Sequence, residues 1–279
     1  MAKFDGVLLC SDIDGTLVSR GIPEENCKAI KYFQDNGGRF TICTGRYLDF
    51  FDKYTHLVTL NAPVIVMNGA IILDKETGKE LFVCPLSADP GKMVTDALRE
   101  IPYLKAAHVY PEGNFTIVKL TEEGDFEVSY IAGDGLPPKR AKDARELNEL
   151  FGYPENVRVY KIVFAVDTER SDDAKAALLD LFRDFSVFRS WINGVEVQSP
   201  LADKGKGARM LADILGDVKL LVCAGDYEND ISMVEEADIG YAVANAHPAL
   251  KAVADRVTKA ACAEGAIAEI IYDLDKELS

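Results

Sequence analysis

The chain has 279 residues, is 48% hydrophobic and carries a formal net charge of −15, enough length for one large domain or two ordinary ones with a substantial core. The acidic balance argues against nucleic acid as a partner and against a polybasic membrane anchor, because no cationic surplus exists to meet phosphates. An anionic substrate would need positive charge concentrated at one place, from a metal ion, a lysine or backbone amides. No stretch approaches the ~20 apolar residues of a membrane span, and the first residues lack the regions of a signal peptide. The six cysteines, Cys10, Cys27, Cys43, Cys84, Cys223 and Cys262, show no Cys-x-x-Cys spacing. Cys10, Cys43 and Cys223 sit in apolar runs, which predicts buried thiols in a reducing, cytoplasmic compartment and gives a zinc site or disulfide framework little support.

In chain order, residues 6–10 form an apolar run that reads as a buried strand. Asp12-Ile13-Asp14-Gly15-Thr16-Leu17 leaves its carboxyl end. Carboxylates at i and i+2 would share one face if the strand continued; Gly15 lets the backbone turn, and Thr16 supplies a hydroxyl. Such a cluster can hold a hard cation, or it can pair a carboxylate nucleophile with a second carboxyl group that moves protons. In isolation it also reads as a polar turn. Residues 22–36 predict a helix, with Pro23, Glu24 and Glu25 suited to its first turn and Gly37-Gly38 to its end. A strand over 39–43 ends in Thr44-Gly45-Arg46. Strand, helix, strand opens a parallel α/β sheet, in which ligands bind outside the carboxyl ends of the strands. A Thr hydroxyl and a Gly amide are suitable donors to phosphate oxygens, and a helix is predicted over 47–54.

A buried strand over 63–67 precedes Asn68-Gly69-Ala70, and residues 71–73 and 80–83 read as a hairpin. From about 87 to 189 the character changes. Helical patterns at 89–100, 139–151 and 171–185 alternate with strand patterns at 107–110, 115–120, 157–167 and 187–191. Asp125 and Asp134 read as solvated, and His56, His108 and His247 as structural. At about 100 residues the segment can be a domain of its own. The first pattern resumes at 194–198. Asp203-Lys204-Gly205-Lys206-Gly207 then opens a helix over 208–215, where outward-pointing amides and a lysine could meet an anion. A buried strand over 219–224 ends in Gly225-Asp226-Tyr227-Glu228-Asn229-Asp230, an acidic run able to complete a Mg²⁺ site. A strand over 239–243, Asn245-Ala246 as a structural pair, and helices over 248–254 and 263–274 close the chain.

These strand-end motifs, taken together, resemble those of the haloacid dehalogenase superfamily of phosphotransferases. Asp12 to Leu17 is similar to its first motif, Thr44-Gly45-Arg46 to its second, Lys204-Gly205 to its third, and Gly225 to Asp230 to its fourth in full. Asn68-Gly69-Ala70 resembles the Cof type, Asn245-Ala246 also resembles the family's pattern, and the segment 87–189 sits where that type carries an α/β cap (C2, subtype B). The resemblance implies an α/β fold: a Rossmann-like parallel-sheet core from residues 1–86 and 190–279, with the cap inserted at 87–189 and hinges near 86–87 and 190–194. It implies a Mg²⁺-dependent phosphatase acting on small phosphorylated metabolites such as sugar phosphates. Asp12 would attack phosphorus and become an aspartyl phosphate, and Asp14 would carry the proton. Asp12, Asp14 through its backbone carbonyl, and Asp226 would ligate Mg²⁺ with Asp230 and Asn229 in support. Thr44, Gly45 and Lys204 would hold phosphoryl oxygens, with Arg46, Asn68 and Asn229 also on the substrate side. A phosphomutase or a dedicated sugar-phosphate phosphatase is the nearest alternative. A receiver domain has no use for the second carboxylate or the cap, and an idle binding module would not keep all four motifs. The sequence carries no signal of oligomeric state.

Overall fold

The structure is a computed structural model that describes residues 2–111, 115–130, 137–155 and 157–278. The chain divides into two compact units, one of Met1–Val83 with Leu201–Ser279 and one of Cys84–Pro200.

The first unit opens with β1 (Val7–Ser11), buried along its whole length, as a central parallel strand covered on both faces must be. Helix α1 (Glu24–Asp35) follows Pro23 and buries Ala29, Ile30 and Phe33. Strand β2 (Arg39–Ile42) lies parallel to β1. The helix predicted over 47–54 is a short 3-10 helix, Leu48–Tyr54. Strands β3 (Val64–Val66), β4 (Ile71–Leu73) and β5 (Glu80–Val83) form a small antiparallel sheet. The β4–β5 turn is the one the sequence predicted, with the Asp74 carboxylate accepting from the amides of Glu76 and Thr77 at 3.0 and 3.1 Å.

The second unit holds α2 (Pro90–Glu100), β6 (Ala106–Pro111), β7 (Thr116–Leu120), β8 (Phe126–Tyr130), β9 (Lys139–Ala141), α3 (Ala144–Phe151), β10 (Val159–Ala165), α4 (Ser171–Leu181), β11 (Ser186–Trp191) and β12 (Gly194–Gln198). Its seven strands make one antiparallel sheet in the order β11-β12-β10-β6-β7-β8-β9. Val109, Val118, Val128, Ile162, Phe164, Val195 and Val197 form one core with Val94 and Leu98 of α2, Leu147 of α3 and Leu178 of α4.

Three expectations are corrected here. The helix predicted over 139–151 begins only at Ala144, where the Asp143 carboxylate accepts from the Glu146 amide at 2.9 Å, and Lys139–Ala141 instead pairs with β8. Strand β8 was not predicted, although Phe126 and Val128 alternate with polar residues at the strand period. Residues 194–198 do not return to the first unit, because β12 pairs with β10 and β11, Val195 opposite Phe164 and Val197 opposite Ile162. The unit boundaries therefore fall at 83/84 and 200/201 rather than 86/87 and 189/190, and the supposed hinge at 190–194 is the β11–β12 turn. Asp134 lies outside the described residues.

The first unit resumes with α5 (Lys204–Leu215), whose start is capped by the Asp203 carboxylate accepting from the Lys206 amide at 2.7 Å. Then come β13 (Leu220–Gly225), a 3-10 turn at Glu228–Asp230, α6 (Ile231–Glu236), β14 (Ile239–Ala242), α7 (Pro248–Val253), β15 (Arg256–Val257) and α8 (Ala266–Glu277). The parallel sheet has the order β15-β14-β13-β1-β2, and a single bridge from Cys43 to Ile65 joins β2 to β3. From β1 the chain steps outward through β2 and β3; from β13 it steps the other way through β14 and β15. The order thus reverses between β1 and β13, which is where an open parallel sheet leaves a crevice at its carboxyl end. No helix among the described residues is long and apolar enough to cross a membrane.

Candidate active site

The two strands flanking the reversal deliver the two acidic motifs. Asp12 follows β1, its amide donating to the Ala224 carbonyl of β13 at 2.9 Å, and its side chain is buried. Asp226 follows β13, and its Oδ1 accepts from the Thr16 hydroxyl at 3.0 Å. The loop between Asp12 and Thr16 passes close to Asp226: Gly15 has φ of 89°, and a Cβ there would collide with the Asp226 carboxylate. Only glycine meets both demands.

Lys204, the first residue of α5, is fully buried. Its Nζ donates to Asp12 Oδ1 at 2.6 Å and to Asp230 Oδ1 at 2.5 Å. The second Asp230 oxygen accepts from the amides of Asp226 and Tyr227 at 2.9 and 3.1 Å. Asp230 is thus fixed at both oxygens, and it fixes in turn both the lysine and the loop that carries Asp226. Asp12, Asp226 and Asp230 each present a carboxylate oxygen, all within 4.8 Å of one another.

Three carboxylates against one ammonium leave two negative charges in this buried cluster. The electrostatics follow. Burial pushes the Asp12 carboxyl well above the usual carboxylate range, against the pull of Lys204 and with added repulsion from Asp230 and Asp226. Asp226 is pushed up to about 7 by burial and by Asp230, against the Thr16 hydrogen bond and Lys204. Burial alone would favour a neutral Lys204, but Asp12 and Asp230 overcome it and keep the ammonium charged. A hard divalent cation would match the excess charge and favour the ionised carboxylates. The donor set therefore fits Mg²⁺.

The facing strand, β2, supplies the next group. Thr44 is buried, its amide donates to the Ile65 carbonyl at 2.9 Å, and its hydroxyl accepts from the Arg46 amide at 3.1 Å. Asn68 follows β3 in the left-handed region at φ 52° and ψ 43°, directly after Met67 at φ 52°. Two consecutive non-glycine residues there mark stored backbone strain, which clusters at functional sites. Asn68 is tied in on both sides: its amide donates to the Thr44 carbonyl at 2.9 Å, and its Oδ1 accepts from Asn229 Nδ2 at 3.2 Å. A Cβ at Gly45 would stand 2.8 Å from the same Oδ1. Three of the predicted residues, Thr44, Asn68 and Asn229, are thus linked by hydrogen bonds from three separate strand ends, with Gly45 close against Asn68.

Asp14 stands apart. Its carboxylate is not in the acidic group but meets Arg46, whose Nε donates to Oδ2 at 2.5 Å and Nη2 to Oδ1 at 3.1 Å. Any part for Asp14 at a cation falls to its backbone carbonyl. In the sequence Thr16 offers a hydroxyl without a partner, and Asn245 a match to the family's pattern or a structural part. Asn245 Nδ2 donates to the Gly15 carbonyl at 2.8 Å, and its Oδ1 accepts from the Cys262 amide at 2.7 Å, bracing the Asp12–Thr16 loop. The signal was its position at the end of β14, a neighbouring strand of the same sheet.

The chain matches the family model described as haloacid dehalogenase-like hydrolase over residues 9–271. It is 30% identical over 294 aligned positions to the 5-amino-6-(5-phospho-D-ribitylamino)uracil phosphatase YwtE of Bacillus subtilis, covering 96% of each chain. It is 25% identical over 263 positions to a phosphoglycolate phosphatase of Methanothermobacter thermautotrophicus, covering 93% of this chain and 95% of that one. In fold it resembles BT1666 of Bacteroides thetaiotaomicron, a solved structure from the HAD phosphatases, with a TM-score of 0.77, 24% identity and coverage of 98% and 96%. With a family match across nearly its whole length, the chain belongs to the haloacid dehalogenase-like hydrolases, and it is a phosphatase that hydrolyses phosphoric monoesters.

Proposed function

We propose that this phosphatase is Mg²⁺-dependent and dephosphorylates small phosphorylated metabolites, sugar phosphates or similar monoesters, through an aspartyl phosphate on Asp12. The observation that carries the reading is the Lys204 ammonium shared between Asp12 and Asp230 in full burial. It holds one oxygen of the Asp12 carboxylate and supplies fixed positive charge where a dianionic phosphoryl group must be accepted. Asp12 attacks phosphorus; the bond from phosphorus to the ester oxygen breaks, and the departing alkoxide takes a proton from Asp14. A water then attacks the phosphorus of the aspartyl phosphate, gives its proton to Asp14, and releases inorganic phosphate with Asp12 restored. Thr44, Gly45 and Lys204 orient the phosphoryl oxygens, since phosphoryl transfer rests mainly on position and charge neutralisation. Asp12, Asp226 and the Asp14 carbonyl would hold Mg²⁺, with Asp230 and Asn229 in support. When bound there, the cation neutralises the excess charge of the cluster and that of the phosphoryl oxygens.

The substrate class draws support from the names of two relatives, one acting on a phosphorylated ribityl compound and one on phosphoglycolate, both small phosphorylated molecules. In this reading the second unit is a cap that selects the organic part of the substrate, and the protein works in the cytoplasm without nucleic acid or membrane. Phosphate release from a panel of phosphorylated metabolites, with Mg²⁺ and after chelation by EDTA, tests it. Turnover should vanish in EDTA and return with added Mg²⁺. Full activity in exhaustively chelated protein would sink the metal assignment, and no release from any ester would sink the reading.

A further inference from the structure

Arg46 was expected from the sequence to stand on the substrate phosphate, but its guanidinium is engaged elsewhere. Nε and Nη2 meet the two oxygens of Asp14 at 2.5 and 3.1 Å. A fork meeting a carboxylate through two parallel bonds fixes the plane of that carboxylate as well as its distance, which an ammonium does not. The backbone of Arg46 is anchored in turn. Its amide donates to the Thr44 hydroxyl at 3.1 Å and its carbonyl accepts from the Met67 amide at 3.1 Å. The guanidinium therefore projects from the same frame that holds Thr44 and Asn68. With side chains 48% and 47% exposed, the pair contributes little to stability. What it does is hold orientation. A guanidinium that let go to reach a phosphoryl oxygen would leave Asp14 without either bond.

We propose that Arg46 is a positioning residue for Asp14 rather than a ligand of the phosphoryl group, holding the carboxylate in the orientation from which a proton passes to and from the reacting oxygens. This rests on Asp14 being the proton carrier. The pair is neutral as a whole, so the positive charge for the phosphoryl group comes from Lys204 and the cation, not from Arg46.

The test uses the full chain with Mg²⁺: Arg46→Ala and Arg46→Lys, each alone and combined with Asp14→Ala. Activity is read on p-nitrophenyl phosphate and on an alkyl phosphate with a poor leaving group. Affinity for inorganic phosphate is read by isothermal titration calorimetry. Arg46→Ala is expected to lower kcat/KM, which reads the steps up to the phosphoenzyme, more on the alkyl phosphate than on p-nitrophenyl phosphate, by no more than the Asp14→Ala loss, which proton transfer puts at about 10²–10⁴-fold. Arg46→Lys should recover part of it. In the Asp14→Ala background the arginine change should add nothing, and phosphate affinity should stay where it is in the parent. A fall in phosphate affinity of about tenfold or more, the scale of a lost charged hydrogen bond, would place Arg46 on the phosphoryl group and overturn the proposal. So would an equal loss of kcat/KM on both esters, or an undiminished loss without Asp14. The calorimetric arm decides the matter even if Asp14→Ala has no measurable turnover. A parent enzyme that releases phosphate from no ester would instead fail the underlying reading.

Discussion

Replacing Asp226 by Asn keeps the side-chain shape and the oxygen that accepts from the Thr16 hydroxyl at 3.0 Å, but it removes a charge from a buried acidic cluster. Burial and Asp230 raise the Asp226 carboxyl from 3.8 to about 7. In chelator the folded chain therefore holds a proton there that the unfolded chain has released. Below about pH 4 both states are protonated and folding carries no penalty. Between about pH 4 and pH 7 each pH unit costs the folded state about 1.4 kcal/mol, and above pH 7 the penalty is constant, on the order of 4 kcal/mol. The Asp12 carboxyl, also raised by burial, lies in the same cluster, so any midpoint belongs to the pair. In EDTA the Asp226→Asn variant is expected to be more stable than the parent at pH 8 by up to that amount, with the gain shrinking as pH falls to 4. Mg²⁺ should close most of that gap. The parent gains about 2.7 kcal/mol at a hundredfold excess over Kd, and the variant, lacking a ligand, gains much less. Urea unfolding followed by circular dichroism at pH 5 and pH 8, with EDTA and then with Mg²⁺, reads all four states. A variant no more stable than the parent at pH 8 in EDTA would refute the electrostatic argument. An unchanged response to Mg²⁺ would remove Asp226 from the cation site.

Lys204→Met deletes the ammonium between Asp12 and Asp230, and taking one partner from a buried ion pair costs about 3–5 kcal/mol. Turnover should be lost, and the urea midpoint should fall further at pH 8 than at pH 5, where the abandoned Asp12 carboxyl, raised by burial, can take up a proton. An equal fall at both pH values would contradict the charge argument. Asn68→Ala places an ordinary side chain in the left-handed region, at about 1–2 kcal/mol, and removes the bond from Asn229; Asn68→Gly should recover the backbone part in thermal melting but not the lost kcat/KM on p-nitrophenyl phosphate. A glycine variant with full activity would limit Asn68 to its backbone.

The four motifs were legible because their chemistry demands particular residue types at fixed spacing: a carboxylate pair with glycine and threonine after β1, and Asp226, Asn229 and Asp230 after β13. The structure brings Asp12, Asp226, Asp230 and Lys204 together from three segments far apart in sequence. What failed was where local pattern cannot name the partner. Val195 and Val197 look the same whether β12 joins one sheet or the other, and only their pairing with Phe164 and Ile162 decides it. Lys139–Ala141 is too short for either period to show and is set by its pairing with β8. Arg46 reads equally well as a phosphate ligand or a carboxylate partner until the position of Asp14 is known. The strained backbone at Met67 and Asn68 leaves no trace in residue type beyond the tolerance of Asn for that conformation.

The most direct test of Asp12 as the nucleophile uses the Asp14→Asn variant with p-nitrophenyl phosphate and Mg²⁺. The good leaving group barely needs a proton in the first step, but water attack in the second step still needs the base. The variant should therefore release a burst of nitrophenol and accumulate phosphoenzyme, seen as one added phosphoryl group by intact-mass spectrometry and located by peptide mapping. The expected result is a phosphoryl group on Asp12, with no burst from Asp12→Asn. A phosphoryl group on any other residue would contradict the mechanism, whatever the overall rates.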